Sequence, residues 1–173
     1  MEALKIRTTN VRRLVMVGLL TGLQVILARI LAIRLPASRI SFQFVAQAVT
    51  GAMFGPVYGA ISAASADVIG SVMFPTQVGF FPGFMLTAGI CGAIYGFFLH
   101  KKPRKLLNIS MAVICASILQ LVLDSIWYYM LLDIGFFGIL SARIPLFIFR
   151  IPMQIAVLWI FFKFIMNKLK VRY

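Results

Sequence analysis

Charged and polar side chains interrupt several stretches of the sequence that are otherwise apolar. They are Arg29, Asp67, Asp124, Arg143, Arg150 and Gln154. The last three share one helical face, because they are spaced at i, i+7 and i+11. Guanidinium groups form charge-assisted hydrogen bonds with anionic ligands, and they also pair with carboxylates of the same protein. These residue types therefore indicate either a site for an anionic ligand or a set of arginine–aspartate pairs that join helices.

The sequence around these side chains indicates a lipid bilayer. The chain has 173 residues, of which 62% are hydrophobic, and its apolar runs are too long for the core of a small soluble domain. A helix that crosses a bilayer needs about 20 mostly apolar residues, and its backbone polar groups must be satisfied inside protein. We therefore expect an all-α integral membrane protein, with one transmembrane domain over residues 1–173. The first apolar run follows a basic segment, residues 1–13, without a small-residue cleavage site, so we expect it to remain as a span.

Apolar runs separated by turn and charge signals predict a bundle of six transmembrane helices. Their ranges are 14–33, 41–55, 56–73, 82–100, 108–131 and 139–166. The second and third runs meet at Gly55 and Pro56, a pair that favours a tight turn followed by a new helix. The alternative is one long kinked helix over residues 41–73. The shortness of these two runs leaves open whether they cross the whole bilayer.

The distribution of basic residues predicts the side of the membrane that each loop faces. With six spans, the basic clusters at residues 1–13, 100–105 and 167–172 fall on one side, which the positive-inside rule places in the cytoplasm together with both termini. The same rule explains the net charge of +13 better than binding to nucleic acid does. The connections 34–39, 74–80 and 132–137 then face outward. Arg34 and Arg39 make the first of them basic, which indicates either capture of an anion or a solvated loop without a role.

In this topology the buried charges lie at similar depth. Arg29, Asp67, Asp124 and Arg143 fall in the outer halves of their spans. Arg150 and Gln154 continue to about mid-bilayer, at a rise of about 1.5 Å per residue. Ionisable groups inside a membrane are costly and usually face the bundle interior or a cavity. Positive charge exceeds negative charge in this layer even after pairing, which favours an anionic ligand over helix-joining pairs alone.

Aromatic residues flank the charged layer. Phe74, Phe80, Phe81 and Phe84 bracket one outer connection, and Trp127, Tyr128 and Tyr129 follow Asp124. Such residues commonly form the aromatic belt at a membrane interface. Beside carboxylate and guanidinium groups they can also stack on the flat ring of a ligand. The sequence therefore predicts a polar cavity with aromatic walls, open to the exterior.

Motifs for several other functions are missing. The sequence has no phosphate-binding loop and no metalloprotease or serine-hydrolase motif, and Cys91 and Cys115 lack metal-ligand spacing. We therefore expect no enzymatic activity, no metal and no cofactor, and uphill transport would need an ion gradient or another subunit. Gly18 and Gly22, four residues apart in the first span, allow another helix to approach closely. That helix belongs either to a partner subunit or to the same bundle.

Several segments in order resemble the substrate-binding S components of energy-coupling factor (ECF) vitamin transporters, most closely the folate-specific members. The block RISFQFVAQAVTGAMFGPVYGAISAASADVIGSVMFPTQVGFFPGF is similar to R-I-S-F-x-F, M-x-F-G-P, A-D-x-x-G, F-P-T and F-P-G-F of that family. LDSIWYYMLL and SARIPLFIFRIPMQ are similar to two later segments, one with L-N-T-x-W and one with an arginine followed by P-x-Q. Asp124 stands where the family has asparagine.

The resemblance implies a multi-pass protein of a bacterial plasma membrane that binds folate, or a related vitamin, from outside. It also implies association with a transmembrane coupling subunit and two cytoplasmic ATPases. Asp67 or Asp124 would accept the N–H donors of the pterin edge, aromatic side chains would stack on the rings, and arginines would bind the glutamate tail. The residues expected to bind the ligand are Arg29, Arg34, Arg39, Asp67, Phe74, Phe80, Phe81, Asp124, Trp127, Arg143, Arg150 and Gln154, and those expected to contact the coupling subunit are Gly18 and Gly22.

Three alternatives stay open at this point. Pantothenate, the ligand of another S component, is a small anion that would leave most of the aromatic surface unused. A self-sufficient ion-coupled transporter would need no partner, but such carriers usually have internal repeats, and the hydrophobic pattern shows none. A membrane enzyme acting on lipids would need an acidic or histidine cluster near the interface, which the four scattered acidic residues do not form.

Overall fold

The computed structural model describes residues 2–35, 38–75, 80–102, 106–132 and 136–166. Six α-helices make up most of this part of the chain. Their bounds are α1 Glu2–Arg29, α2 Gln43–Phe54, α3 Pro56–Met73, α4 Pro82–Leu99, α5 Leu106–Leu132 and α6 Phe136–Phe161, and a π-helical segment, Phe162–Met166, continues α6. The number of helices agrees with the prediction, and each predicted span overlaps one helix.

The first helix and the segment after it differ from the prediction. α1 begins at Glu2, so the basic segment 1–13 is helical in its described part, and α1 ends at Arg29 rather than at residue 33. Lysine, arginine and leucine are good helix formers, which explains why the helix extends beyond its apolar part. Two short antiparallel strands follow, β1 Ile33–Leu35 and β2 Ser38–Ile40. Residues 34, 35, 38 and 39 of the predicted outer loop therefore lie in two paired strands, an exception to the all-α class.

Within the described residues, four helices contain segments that are long and apolar enough to cross a membrane. These segments are Val11–Arg29, Pro82–Leu99, Leu106–Leu131 and Arg143–Phe164. α2 is not among them, because its 12 residues give a length of about 18 Å, against roughly 30 Å for a hydrocarbon core. α3 carries Asp67 and three serines, and most of α2 is buried by its neighbours. The protein is thus a multi-pass membrane protein in which α2 is shorter than the other helices and α3 is less apolar than these four segments.

α2 and α3 are separate helices, so the alternative of one kinked helix over residues 41–73 is wrong. Gly55 lies between them with φ +92°, a backbone conformation that favours glycine. Its N–H donates to the Gly51 carbonyl oxygen at 2.9 Å, and its own carbonyl oxygen accepts from the N–H of Gly59 at 3.0 Å. Pro56 occupies the start of α3, where its missing N–H leaves no helical hydrogen bond unmade.

Glycines bring the backbones of α2, α3 and α4 close together. A Cβ atom added to Gly51 would lie 2.6 Å from the backbone nitrogen of Gly96, and one added to Gly59 would lie 2.6 Å from the carbonyl oxygen of Gly92. Neither position has room for a methyl group. Small residues at helix crossings supply packing contacts in a membrane, where lipid gives helices no hydrophobic reason to associate. The apolar core beside this crossing includes Phe44, Tyr95, Ile109, Val113 and Leu158.

A buried polar network joins α1 to α2 and α3. Gln24, which is fully buried, donates from Nε2 to Ser62 Oγ at 2.8 Å and to Thr50 Oγ1 at 3.3 Å. Thr21 Oγ1 lies 2.8 Å from Ser62 Oγ. Polar groups at membrane depth need partners inside the protein, so this network favours one position of α1 against α3. It thereby places Arg29, at the end of α1, beside the C-terminal half of α3.

Candidate binding site

The first group of predicted site residues joins the end of α1 to the end of α3. Arg29 is buried, and its Nη2 lies 3.8 Å from Asp67 Oδ1. Arg29 Nη1 donates to the carbonyl oxygen of Phe74, the residue that ends α3, at 3.3 Å. We call Arg29, Asp67 and the Phe74 carbonyl the α1–α3 clasp. In the clasp, arginine and aspartate pair with each other, as one of the two interpretations of the sequence predicted.

The second group is aromatic and joins the start of α4 to the end of α5. The ring centroids are 5.7 Å apart for Phe81 and Trp127, 5.1 Å for Phe84 and Tyr128, and 5.9 Å for Phe81 and Phe84. All three pairs are tilted or edge-to-face, the arrangements that aromatic quadrupoles prefer. We call Phe81, Phe84, Trp127 and Tyr128 the aromatic group.

Two residues of α4 hold the aromatic group in place. Trp127 Nε1 donates to Thr87 Oγ1 at 3.0 Å, which uses the polar atom of the indole. Gly83 lies directly under the rings, since a Cβ atom added there would overlap the Phe81 ring and lie 2.6 Å from Trp127 Cδ2. The indole is therefore positioned by a hydrogen bond on one edge and by the absence of a side chain beneath it.

Arg143 of α6 extends the aromatic group with a positive charge. Its guanidinium carbon lies 4.4 Å from the centroid of the Tyr128 ring, which is a cation–π contact. Its Nη1 is buried and has no hydrogen-bond partner among the described residues. A buried donor without a partner is costly, and a carboxylate is the acceptor that suits a guanidinium group best. Arg143 is therefore the described arginine whose geometry fits binding of an anion most directly.

Arg150 and Gln154 lie deeper on α6 and contact α5. Arg150 Nη2 donates to Gln120 Oε1 at 3.1 Å, and Gln154 accepts from Ser117 Oγ at 3.3 Å. These contacts join α5 and α6, so the protein itself uses polar groups that the sequence assigned to a ligand here.

The structure brings some predicted site residues together and leaves others apart. Phe81, Trp127 and Arg143 belong to one connected set on α4, α5 and α6, whereas Arg29, Asp67 and Phe74 form the clasp between α1 and α3. Of the other six, Asp124 lies on α5, Arg150 and Gln154 lie on α6, and the last three lie elsewhere. Phe80 is exposed. Arg34 and Arg39 are paired in the register of the hairpin, and their side chains are not among those that the structure describes.

Sequence reasoning missed several residues that shape the site. Gly83, Thr87 and Gln120 were not singled out, and Phe84 and Tyr128 were noted only as aromatic neighbours. One signal was available for Gly83, because a glycine between two phenylalanines in FFPGF leaves space that neighbouring rings can occupy. Thr87 and Gln120 gave no such signal, since their partners are 40 and 30 residues away in sequence.

Gly18 and Gly22 lie on an open face of α1. A Cβ atom added to either residue would meet no heavy atom of the described part of the chain within 4 Å. The neighbouring apolar side chains Leu19 and Leu23 are exposed on the same helix. Packing of the two glycines inside the bundle, one of the two interpretations of the sequence, is therefore not found among the described residues.

Comparison with known proteins identifies the family of this chain. Residues 12–169 match the family model "ECF transporter, substrate-specific component". The chain is 33% identical over 123 residues to the folate transporter FolT of Clostridium novyi, covering 70% of this chain and 71% of the relative. It is 28% identical over 156 residues to FolT of Leuconostoc mesenteroides, covering 86% and 83%. A solved structure of FolT bound with folic acid superimposes with a TM-score of 0.79 at 29% identity, covering 84% of this chain and 89% of that one. The chain belongs to the substrate-specific S components of ECF transporters.

Proposed function

We propose that this chain is the folate-binding subunit of an ECF-type importer. It captures folate from outside a bacterial plasma membrane and delivers it through a transmembrane coupling subunit that two cytoplasmic ATPases drive. The observation that carries the proposal is Arg143, whose buried Nη1 has no hydrogen-bond partner among the described residues and whose guanidinium group stacks on the aromatic group. The relatives named FolT, and the neighbour bound with folic acid, support the same ligand.

Folate matches this site in its chemistry. Its flat pteridine ring suits a surface of tilted aromatic side chains, and its glutamate tail carries the carboxylates that a guanidinium group binds. Asp124 is on α5 at i−3 from Trp127 and i−4 from Tyr128, so it shares their helical face. Between the two carboxylates that could accept the N–H donors of the ring edge, the shared helical face favours Asp124, whereas Asp67 lies on α3 beside Arg29.

The remaining parts of the proposal concern orientation and partners. Both termini face the cytoplasm, because the basic clusters fall on the side of the chain ends. The site then opens outward. The coupling subunit contacts the face of α1 that carries Gly18 and Gly22, where glycine lets another helix approach closely. The ATPases supply the phosphate-binding loops that this sequence lacks.

Titration of the purified protein with a panel of vitamins tests the ligand. Folate should bind and quench tryptophan fluorescence, since Trp127 belongs to the aromatic group, whereas thiamine, a cation, should not bind beside Arg143. Tight binding of pantothenate without detectable binding of folate would refute the folate assignment and leave the S-component role intact. Uptake of folate by vesicles that contain this chain alone would instead favour a self-sufficient ion-coupled transporter.

A further inference from the structure

We propose that Arg29 is a positioning residue that shapes the folate site through the α1–α3 clasp, and that it does not bind the glutamate tail. This inference rests on the proposed function. It separates two arginines that the sequence treated alike, because Arg29 contacts Asp67 and the Phe74 carbonyl, whereas Arg143 presents a buried nitrogen without a hydrogen-bond partner among the described residues.

The contacts of Arg29 account for both ends of its guanidinium group. Nη1 bonds to a backbone carbonyl oxygen and Nη2 lies in ion-pair range of a carboxylate oxygen, and the side chains of Arg29 and Asp67 are only 5% and 12% exposed. Because protein encloses almost the whole Arg29 side chain, a carboxylate tail could reach these nitrogens only if the surrounding protein groups moved. Breaking a buried ion pair leaves a desolvated charge behind, which makes such an exchange unfavourable.

Gly70 leaves room for the Arg29 side chain because it has no side chain of its own. A Cβ atom at Gly70 would lie 2.8 Å from Arg29 Nε and 3.4 Å from Arg29 Cγ, so the guanidinium group occupies the volume that any other residue at this position would fill. Gly70 also accepts the N–H of Phe74 with its carbonyl oxygen at 3.0 Å, as the last turn of α3 closes. Arg29 therefore packs against the C-terminal end of α3, where its guanidinium group donates to the Phe74 carbonyl oxygen.

The clasp acts on the ligand site through the chain that follows α3. Phe74 ends α3, and Phe81, the residue before α4, is a member of the aromatic group. Holding the Phe74 carbonyl fixes where the connection to α4 begins. Losing that bond would let the end of α3 shift, and we expect the shift to change the contact of the Phe81 ring with Trp127, whose ring centroids lie 5.7 Å apart. The expected consequence is weaker binding of the ring portion of the ligand.

The test compares two ligands on variants that remain folded in detergent. Arg29→Lys keeps the charge but loses the forked donor geometry, and Gly70→Ala displaces the arginine without changing any charge. Gly89→Ala is the matched control, because a Cβ atom there meets its nearest neighbours at an ordinary 3.6 Å. Dissociation constants are measured for folate and for 6-methylpterin, which has no glutamate tail, the latter by competition with folate.

We expect both clasp variants to weaken folate and 6-methylpterin by a similar factor of about ten, and the control to change neither by more than about twofold. A loss confined to folate would show that Arg29 binds the tail and would overturn the inference. Unchanged dissociation constants with a lowered melting temperature would overturn it too, since Arg29 would then only stabilise the fold. If the wild-type protein bound neither ligand, the proposed function itself would fail, which is distinct from a failure confined to the variants.

Discussion

Replacing Gly83 by alanine should disturb the aromatic group without removing any ring. The new methyl group would overlap the Phe81 ring and lie 2.6 Å from Trp127 Cδ2 and 2.8 Å from Trp127 Cε2. Carbon atoms in contact are about 3.5 Å or more apart, so both rings would have to retreat by about 1 Å. Trp127 cannot retreat without stretching its hydrogen bond to Thr87, which is 3.0 Å long.

The expected loss of folate affinity follows from the two interactions of Trp127 that the new methyl group disturbs. The edge contact between Phe81 and Trp127 contributes about 0.5–1.5 kcal/mol. The hydrogen bond from Trp127 to Thr87 contributes a further 0.5–1.5 kcal/mol or so. A ligand that stacks on the native arrangement must restore it, so Gly83→Ala should reduce folate affinity by about 1–3 kcal/mol, a factor of about 5 to 150.

Fluorescence of a single tryptophan provides the assay. The chain has two tryptophans, and Trp159→Phe leaves Trp127 as the sole emitter. In that background, folate titrations of Gly83→Ala are compared with those of Gly89→Ala, a control on the same helix whose added methyl group has room. Unchanged Trp127 emission and a dissociation constant within about twofold of the background would refute the role assigned to Gly83.

Further predictions concern the tail, the partner and the topology. Arg143→Ala should weaken folate by about 10- to 150-fold, the range for a hydrogen bond to a charged group, and 6-methylpterin much less; equal losses in a competition titration would mean that Arg143 supports the ring pocket. Gly18→Leu should preserve folate binding but reduce co-purification with the coupling subunit, while Val122→Ala on the exposed face of α5 should not; loss of ligand binding instead would place the glycine in internal packing. In a cysteine-free background, cysteine at Ser38 should react with an impermeant thiol reagent in intact cells and cysteine at Lys102 should not, and the opposite labelling would reverse the proposed orientation.

Much of the fold could be predicted because it depends on local properties of the chain. In the described part of the chain, the length of four of the apolar runs indicates membrane helices regardless of their neighbours. The break between α2 and α3 follows from Gly55 and Pro56 alone, since one adopts a positive φ and the other cannot continue a preceding helix. The hairpin after α1 was not predicted, because its six strand residues contain no long β pattern and include no glycine turn signal.

The candidate site could be predicted only as a set of residue types. Buried arginines, aspartates and aromatic residues indicate a polar site in a membrane wherever they lie in the fold. Their pairing was beyond the sequence, because Arg29 and Asp67 are 38 positions apart and meet only when α1 packs on α3. Packing of α1 on α3 places Arg29 beside a carboxylate, and packing of α6 on α5 places Arg143 beside an aromatic ring.

The glycines show the same division between sequence and tertiary structure. Spacing of four residues recurs at Gly18 and Gly22 and at Gly92 and Gly96, and in both cases the sequence by itself determines that a helix face can be approached closely. The fold decides what approaches it: the second pair lies at backbone crossings inside the bundle, and the first meets nothing within 4 Å in the described part of the chain. A glycine leaves room for a close contact on any helix. Which helix makes that contact depends on how the whole chain packs.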